Sequence, residues 1–369
     1  MSRSATFTEP DPVFEHTAAL VAAREAGFAV WPTSGRQDLQ RPDELSEADF
    51  ASNGRLRIDT RNLIITETAL LNESEQADAL EALVLDQVFD SKDWPSLYLD
   101  QDFPVGKGES LRFDAVEVTR AGIMFGWAIE QAVRTGAQIS KRATEAGPIE
   151  IVLDSPEAIT PLEHLFIGLE LRRRGLDSFD LALTWGGRWE PAADWIGDED
   201  TFRASLAVHR AIAEQQSAWR MSFVHAEEKW SVLPIIHDQC RNAFHLNIDG
   251  LGWIEATRAL ARMEPDLLRK LLVVAQDRFP FDKPDLELAT TEDDIRNLPD
   301  VPDSDLERVF VEDFRGRQLL RITASSLLNH EEFGQPLREA IERHQPLHAE
   351  LVEAAARRHF AAWGSTVPA

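Results

Sequence analysis

Apolar and polar positions settle into a regular alternation of two periods after residue 149. Runs over 149–153, 179–184, 220–224 and 243–247 have the length and apolar content of strands. Two weaker runs, 308–311 and 319–323, read the same way. Between them the spacing becomes helical. Thr160, Pro161 and Glu163 form a capping box with proline at the first helical position. Leu162, Leu165, Phe166 and Leu169 supply that helix's apolar face. Arg172, Arg173 and Arg174 fill its last turn and Gly175 closes it. Further helices are predicted over 201–216, capped by Asp200, over 253–263, and from Pro265 to about Phe279. Strands and helices joined by short connections predict parallel pairing, in a doubly wound sheet or a (β/α) barrel. No G-x-G-x-x-G follows the first of these strands, which weighs against dinucleotide binding.

The pattern before residue 149 is less regular. Residues 13–110 read as a small α/β region, with helices over 17–25 and 73–89, a strand within 56–66 and a short strand at 97–99. Gly106, Lys107 and Gly108 read as a turn, because the strand-to-helix context of a phosphate loop is missing. Residues 1–12 form a polar, disordered tail with no signal-peptide pattern, and 331–369 a helical extension. That leaves 111–330 as the barrel core. Within it, 280–305 is a Pro- and Asp-rich excursion, read as a lid or an external loop.

Charge narrows the functional classes. The formal net charge is −26, which repels phosphate backbones and anionic membrane surfaces, so nucleic-acid and membrane partners are disfavoured. The longest apolar stretch, 121–129, is too short to span a bilayer. Cys240 is the only cysteine, so no intrachain disulfide forms and a cytoplasmic, reducing compartment is expected. Its expected role is that of a small buried hydrophobe.

In parallel α/β folds functional groups gather where strands end and helices begin. Those positions hold Asp154, residues 185–189, His225, Glu227, Glu228, Lys229, Asn247, Asp249, Thr323 and Ser325. Period-two alternation adds His245 and Arg321. Asp154, His225 and His245 would make a mixed N and O set for a divalent metal ion, although no fixed-spacing motif such as H-E-x-x-H is present. Each also has a plainer reading: a turn aspartate for Asp154, a satisfied interior histidine for His245, a surface lysine for Lys229. Arg321, read as lying within a strand, needs an anionic partner, either an internal acid such as Asp249 or a bound substrate.

The run from Thr160 through Phe166 and Ile167 to Gly175, then Asp194, Trp195, Ile196, Gly197 and Asp198, resembles the tagaturonate/fructuronate epimerase family. So do Phe244, His245 and Leu246 before Trp253, Ile254 and Glu255, and Gly316 to Leu320. The similarity covers about residues 149–328. It implies a TIM-barrel-like fold and metal-assisted epimerisation of a keto-hexuronate, with the metal held by carboxylate and imidazole. Asp154 and His225 fall at matching strand-end positions. The departures fall there too. Where the family pattern is H-S-G-S-D-K-F-S, this chain has His225, Ala226, Glu227, Glu228, Lys229, Trp230 and Ser231. Asn247 stands where the pattern has lysine, and Arg321 where it has histidine. An arginine stays protonated and does not replace an imidazole as a ligand.

The resulting expectation is an epimerase or isomerase acting on a sugar or sugar acid, assisted by a divalent metal, with an altered site. Asp154, His225 and Lys229 are the candidate catalytic groups, with Asp154, His225 and His245 as metal ligands. Arg321, Asn247, Thr323 and Glu227 are the candidate substrate contacts. The alternatives are a non-catalytic homologue that binds a sugar acid or a protein partner, and a metal-dependent hydrolase or aldolase. Homo-oligomerisation is left open.

Overall fold

The structure is a computed structural model. It describes the chain apart from residues 1–2, 11–12, 15–16, 32–55, 67, 69–70, 107, 143–148, 154, 156, 217–218, 242, 284–287, 299 and 363–369. The chain begins with β1 (Ser4–Thr8), α1 (Thr17–Glu25), β2 (Ala29–Trp31) and β3 (Leu56–Asp59). A largely helical insertion follows, made of α2 (Glu73–Leu85), the hairpin β4 (Phe103–Gly106) and β5 (Glu109–Leu111), and the long α3 (Ala115–Arg142). Strands and helices then alternate: β6 (Ile149–Leu153), α4 (Pro161–Arg173), β7 (Phe179–Leu183), α5 (Glu199–Gln216), β8 (Trp219–Phe223), α6 (Leu233–Cys240), β9 (Phe244–Asp249) and α7 (Leu251–Met263). The rest is helical: α8 (Pro265–Asp282), α9 (Glu292–Arg296), a π-helical turn (Arg308–Glu312), α10 (Phe314–Ile322), α11 (Ala324–Leu328), α12 (Gly334–Arg343) and α13 (Gln345–Ala362).

One sheet, in the order β2-β1-β9-β8-β7-β6-β3, is parallel throughout. Alternation sorts its side chains onto two faces. Phe179, Leu181, Trp219, Met221, Phe223, Phe244, Leu246 and Phe7 join the main apolar core beneath the helices. Burial of each such side chain is worth about 1.5–3 kcal/mol. The other face carries Arg57, Glu150, Asp180, Arg220, Ser222, His245, Asn247, Ser4 and Thr6 around a small apolar patch of Val152, Ala182 and Val224.

That polar face is the inside of a curl. Asn247 on β9 donates from Nδ2 to Glu150 Oε1 on β6 at 2.6 Å, across two intervening strands. On a flat sheet those strands would lie roughly 14 Å apart, three spacings of about 4.8 Å. The arrangement is an incomplete α/β barrel, with β2 and β3 as its edges among the described residues. Its interior is a hydrogen-bonded lattice. Arg220 grips Asp180 with two bonds of 2.6 Å, and Ser222 donates to Glu150.

The helix after β6 forms as its sequence predicts. Thr160 Oγ1 accepts from Glu163 N at 3.3 Å and the Glu163 carboxylate accepts from Thr160 N at 2.8 Å. Three expectations are corrected. Ser4–Thr8, inside the segment read as a disordered tail, is strand β1, paired between β2 and β9. Residues 97–99 are not a strand; the chain turns through a 3-10 helix at Trp94–Leu97. The two weak strands at 308–311 and 319–323 are the π-helical turn and α10. Leu319 and Leu320 are apolar neighbours that suit either period, but Gly316 and Thr323 extend them at helical spacing. The excursion over 280–305 contains α9 and is tied down: Arg269 donates to Asp300 and Asp303, and the Glu190 carboxylate accepts from Ala289 N. No helix among the described residues is long and apolar enough to cross a membrane.

Two buried histidines sit beneath the helices. Trp219 Nε1 donates to His164 Nε2 at 2.8 Å. The His164 proton therefore sits on Nδ1 and is shared with His209 Nδ1 at 3.0 Å. Burial holds both rings below their ordinary value, His209 at about 4. Both are neutral in the folded state and bind protons near pH 6.5 once unfolded. Their contribution is intact above about pH 6.5 and is lost as pH falls through the window down to about 4. Unfolding midpoints measured across that window should drop steeply, by up to about 1.4 kcal/mol per pH unit for each ring. In His209→Leu the slope should flatten, and an unchanged slope would assign the acid sensitivity elsewhere.

Candidate functional site

The C-terminal ends of the strands converge at one mouth of the curl. β8 runs into a tight turn in which His225 and Glu228 adopt positive φ, 49° and 61°. Ala226 N donates to Asn247 O at 2.8 Å and holds that turn against β9. His225 Nδ1 thereby lies 3.2 Å from Asp249 Oδ2 and 3.9 Å from Glu227 Oε1. The Glu227 carboxylate is aimed by two backbone donors, Ala192 N at 3.3 Å and Asp249 N at 3.2 Å. One ligand atom from each of His225, Glu227 and Asp249 falls within 4.8 Å of the others.

Arg321 reaches the same place from α10. Its side chain packs over Gly250, where an added Cβ would stand 2.7 Å from Arg321 Nε. Gly250 also holds φ at 72°, which a side chain disfavours. Gly250→Ala should cost about 1–2 kcal/mol from backbone handedness alone. Gly250→Asn, which tolerates this φ better, should recover stability but still displace Arg321. Melting curves of the two variants, with sugar-acid binding measured beside them, separate the two effects.

Two buried polar atoms at this mouth, Asp249 Oδ1 and Arg321 Nε, make no hydrogen bond within the protein, and His225 Nδ1 has only the poorly aligned approach of Asp249 Oδ2 at 3.2 Å. Buried polar groups are ordinarily satisfied, so this cluster points to a missing partner. Burial favours a protonated Asp249, but the His225 ring, Arg57 and Arg321 outweigh it and hold the carboxyl well below the ordinary range. Glu9, just past β1, accepts from Gly252 N at 2.6 Å and Trp253 N at 3.0 Å at the start of α7. Burial nevertheless pushes its carboxyl up to about 8. The mouth thus combines an ionised carboxylate, a second aimed carboxylate, an imidazole and a guanidinium. Those groups can hold a divalent cation, move a proton and bind a carboxylate.

A family model for UxaE, tagaturonate epimerase, matches residues 18–362. The chain belongs to the tagaturonate epimerase family. A tagaturonate/fructuronate epimerase of Thermotoga maritima is 28% identical over 322 residues, 87% of this chain and 65% of that protein. The chain thus spans just under two thirds of that relative's length. Among solved structures, the fructuronate-tagaturonate epimerase UxaE of Cohnella laeviribosi superposes in a glycerol-complexed form with a TM-score of 0.83. The identity is 24%, covering 98% of this chain and 82% of that one. Its native form gives the same TM-score at 23% identity.

Against this family background the sequence-based candidates divide. His225, Glu227 and Arg321 meet at the strand ends, though Arg321 does so from a helix. Asp154 lies outside the described residues. His245 does not join His225. Its Nε2 faces Asn247 Oδ1 at 3.3 Å and Thr6 Oγ1 at 3.1 Å, and its Nδ1 faces Ser4 Oγ at 2.9 Å. The Asn247 amide donates to Glu150, so its oxygen requires the proton on His245 Nε2, and Nδ1 then accepts from Ser4. Both ring nitrogens are engaged and neither is left for a metal. Lys229 is likewise occupied, donating to the carbonyls of Glu190, Ala193 and Glu227 at 2.7, 2.7 and 3.2 Å. It pins the loop after β7 instead of facing the mouth. Asn247 is fixed in the lattice below, and Thr323 Oγ1 is bonded to Leu319 O at 2.8 Å. Asp249, expected from sequence only as a strand-end candidate and a possible internal partner of Arg321, becomes central. Glu9 was missed, because the polar segment around it carries no strand signal.

Proposed function

We propose that the protein is an epimerase acting on a keto-sugar acid of the hexuronate class, with a strand-end site altered from the family pattern. The observation that carries this reading is the convergence of His225, Glu227, Asp249 and Arg321, with two buried polar atoms left unsatisfied among them. The name of the Thermotoga maritima relative supports the substrate class.

The donor set fits a divalent metal ion: one imidazole and two carboxylates, with Asp249 Oδ1 lacking a hydrogen-bond partner and His225 Nδ1 only poorly aligned on Asp249 Oδ2. His225, Glu227 and Asp249 would hold it, in place of the Asp154, His225 and His245 set expected from sequence. Such an ion would polarise a carbonyl oxygen of the substrate. The protein's own groups do the remaining work. Arg321, with an unsatisfied Nε, binds the substrate carboxylate as a fixed planar donor. Glu227, held by two backbone amides, is placed to take up and return a proton. Buried and backed by arginines, Asp249 stays ionised and keeps the His225 ring oriented.

The test is incubation of purified full-length protein with tagaturonate and with fructuronate, with and without added Mn²⁺, Ni²⁺ or Zn²⁺, following epimer ratios by chromatography and bound metal by elemental analysis. Interconversion that fails in His225→Ala supports the reading. Absence of turnover on either acid under every metal condition would sink it. A sugar-acid binder is the second reading, favoured by the field of Arg321 on Asp249, and calorimetric binding without turnover would select it.

A further inference from the structure

A second cleft opens away from the strand ends. It has a volume of about 580 Å³ and lies among the turn after β8, α7, the π-helical turn, α10 and α13. That volume suits a small molecule. Four arginines and four glutamates line it, so its formal charges cancel. Their hydrogen-bonding capacities do not. Glu307 accepts from Arg258 and Arg262, each bond 2.7 Å. Glu255 takes Arg258 Nε at 2.7 Å. Glu228 takes Trp230 Nε1 at 3.0 Å and Arg317 Nη2 at 3.2 Å. The inner carboxylates are therefore engaged, and Glu312 stands at the rim with a half-exposed side chain.

Donors remain. The hydrogen bonds of Arg258 to Glu255 and Glu307 run from Nε and Nη1, which leaves Nη2 to turn toward the cleft among the described residues. Arg358 lies over the Trp230 ring at 4.6 Å and approaches Glu228 Oε1 only to 3.6 Å, with no hydrogen bond. Burial, together with Arg358 and Arg258, lowers the Arg317 guanidinium, although Glu228 opposes this. The crowding of three guanidiniums is thus electrostatically felt. Against them stand the indole of Trp230 and an apolar strip of α13. In a chain of net charge −26, free arginine donors beside an apolar wall are a selective environment for an anion.

We propose that this cleft is a second binding site, for a small organic anion whose carboxylate or phosphate oxygens meet Arg358 and Arg258 and whose body lies on Trp230. The site communicates with the strand ends by direct succession. Glu228, which pairs with Arg317 and faces Arg358, immediately follows Glu227 in the same turn, where it holds a positive φ.

Binding tests the site independently of the epimerase reading. The full chain is titrated calorimetrically with inorganic phosphate and, separately, with sodium glucuronate, against sodium chloride at equal ionic strength. Saturable binding of at least one probe is expected, and which probe binds separates the phosphate from the carboxylate source. Arg358→Ala, an exposed change that leaves the core intact, should weaken it roughly tenfold, the worth of one charge-assisted contact. Arg358→Lys should restore part of the loss, and His225→Ala should leave this binding unchanged. The proposal is overturned if neither probe saturates, if chloride reproduces the signal, if Arg358→Ala binds as tightly as wild type, or if binding disappears in His225→Ala.

Discussion

Asp249→Asn should lower kcat/KM for the proposed keto-hexuronate epimerisation by about 10²–10⁴, the range for removing a group that supports proton transfer. The change keeps the shape of the side chain, and the backbone N–H of residue 249 still meets Glu227 at 3.2 Å. What it removes is the negative charge that His225, Arg57 and Arg321 surround. With that charge gone, two arginines and an imidazole face one another with less compensation. The loss should therefore appear in kcat as well as KM, and metal content should fall in parallel if the ion sits on this residue. Folding should weaken as well, because the ionised carboxylate compensates Arg57, Arg321 and the His225 ring, so kinetics are compared on protein shown to be folded at the assay temperature. An Asp249→Asn protein with near-normal kcat/KM would remove this carboxylate from the mechanism.

The second large effect is on stability. Asp180→Ala should destabilise the protein by about 3–5 kcal/mol, the usual cost of breaking a buried ion pair from one side. Both Asp180 oxygens meet the Arg220 guanidinium at 2.6 Å, and both side chains are buried. The same principle predicts that Asp180→Leu combined with Arg220→Met lies close to wild type, because neither charge then has to be desolvated. Denaturant midpoints of the single and double variants decide the point. Equal destabilisation of both would mean that the interior requires polarity for its own sake.

How much of this was legible in the sequence depended on whether the signal was local. The capping box at Thr160 was readable because its donors and acceptors lie within three residues. Strand β1 was not. Ser4, Thr6 and Thr8 are polar because they face a polar interior, and their partners on β9 are far away in sequence. Arg321 reads as a strand residue because Leu319 and Leu320 fit either period, whereas it lies in a helix. The three-dimensional site was partly legible, since strand-end logic selected His225, Glu227 and Asp249. His245 lies too deep on β9 to share a metal with His225 and Asp249. Residue 245 lies four positions before 249 on one strand, about 13 Å deeper at 3.3 Å per residue. Lys229 misled for a different reason: its three carbonyl partners come mostly from a loop almost forty residues earlier.

The position of β1 in the sheet has a consequence for synthesis of the chain. Its hydrogen bond from Ser4 to His245 spans 241 residues. At about 5–20 residues added per second, β1 leaves the ribosome roughly 12–50 s before its β9 partner. Until then the growing chain holds a curled surface of arginines, acids and hydroxyls with one wall missing. The nascent protein should therefore depend on protection of that open seam, and the N-terminal strand closes the interior as one of its last steps.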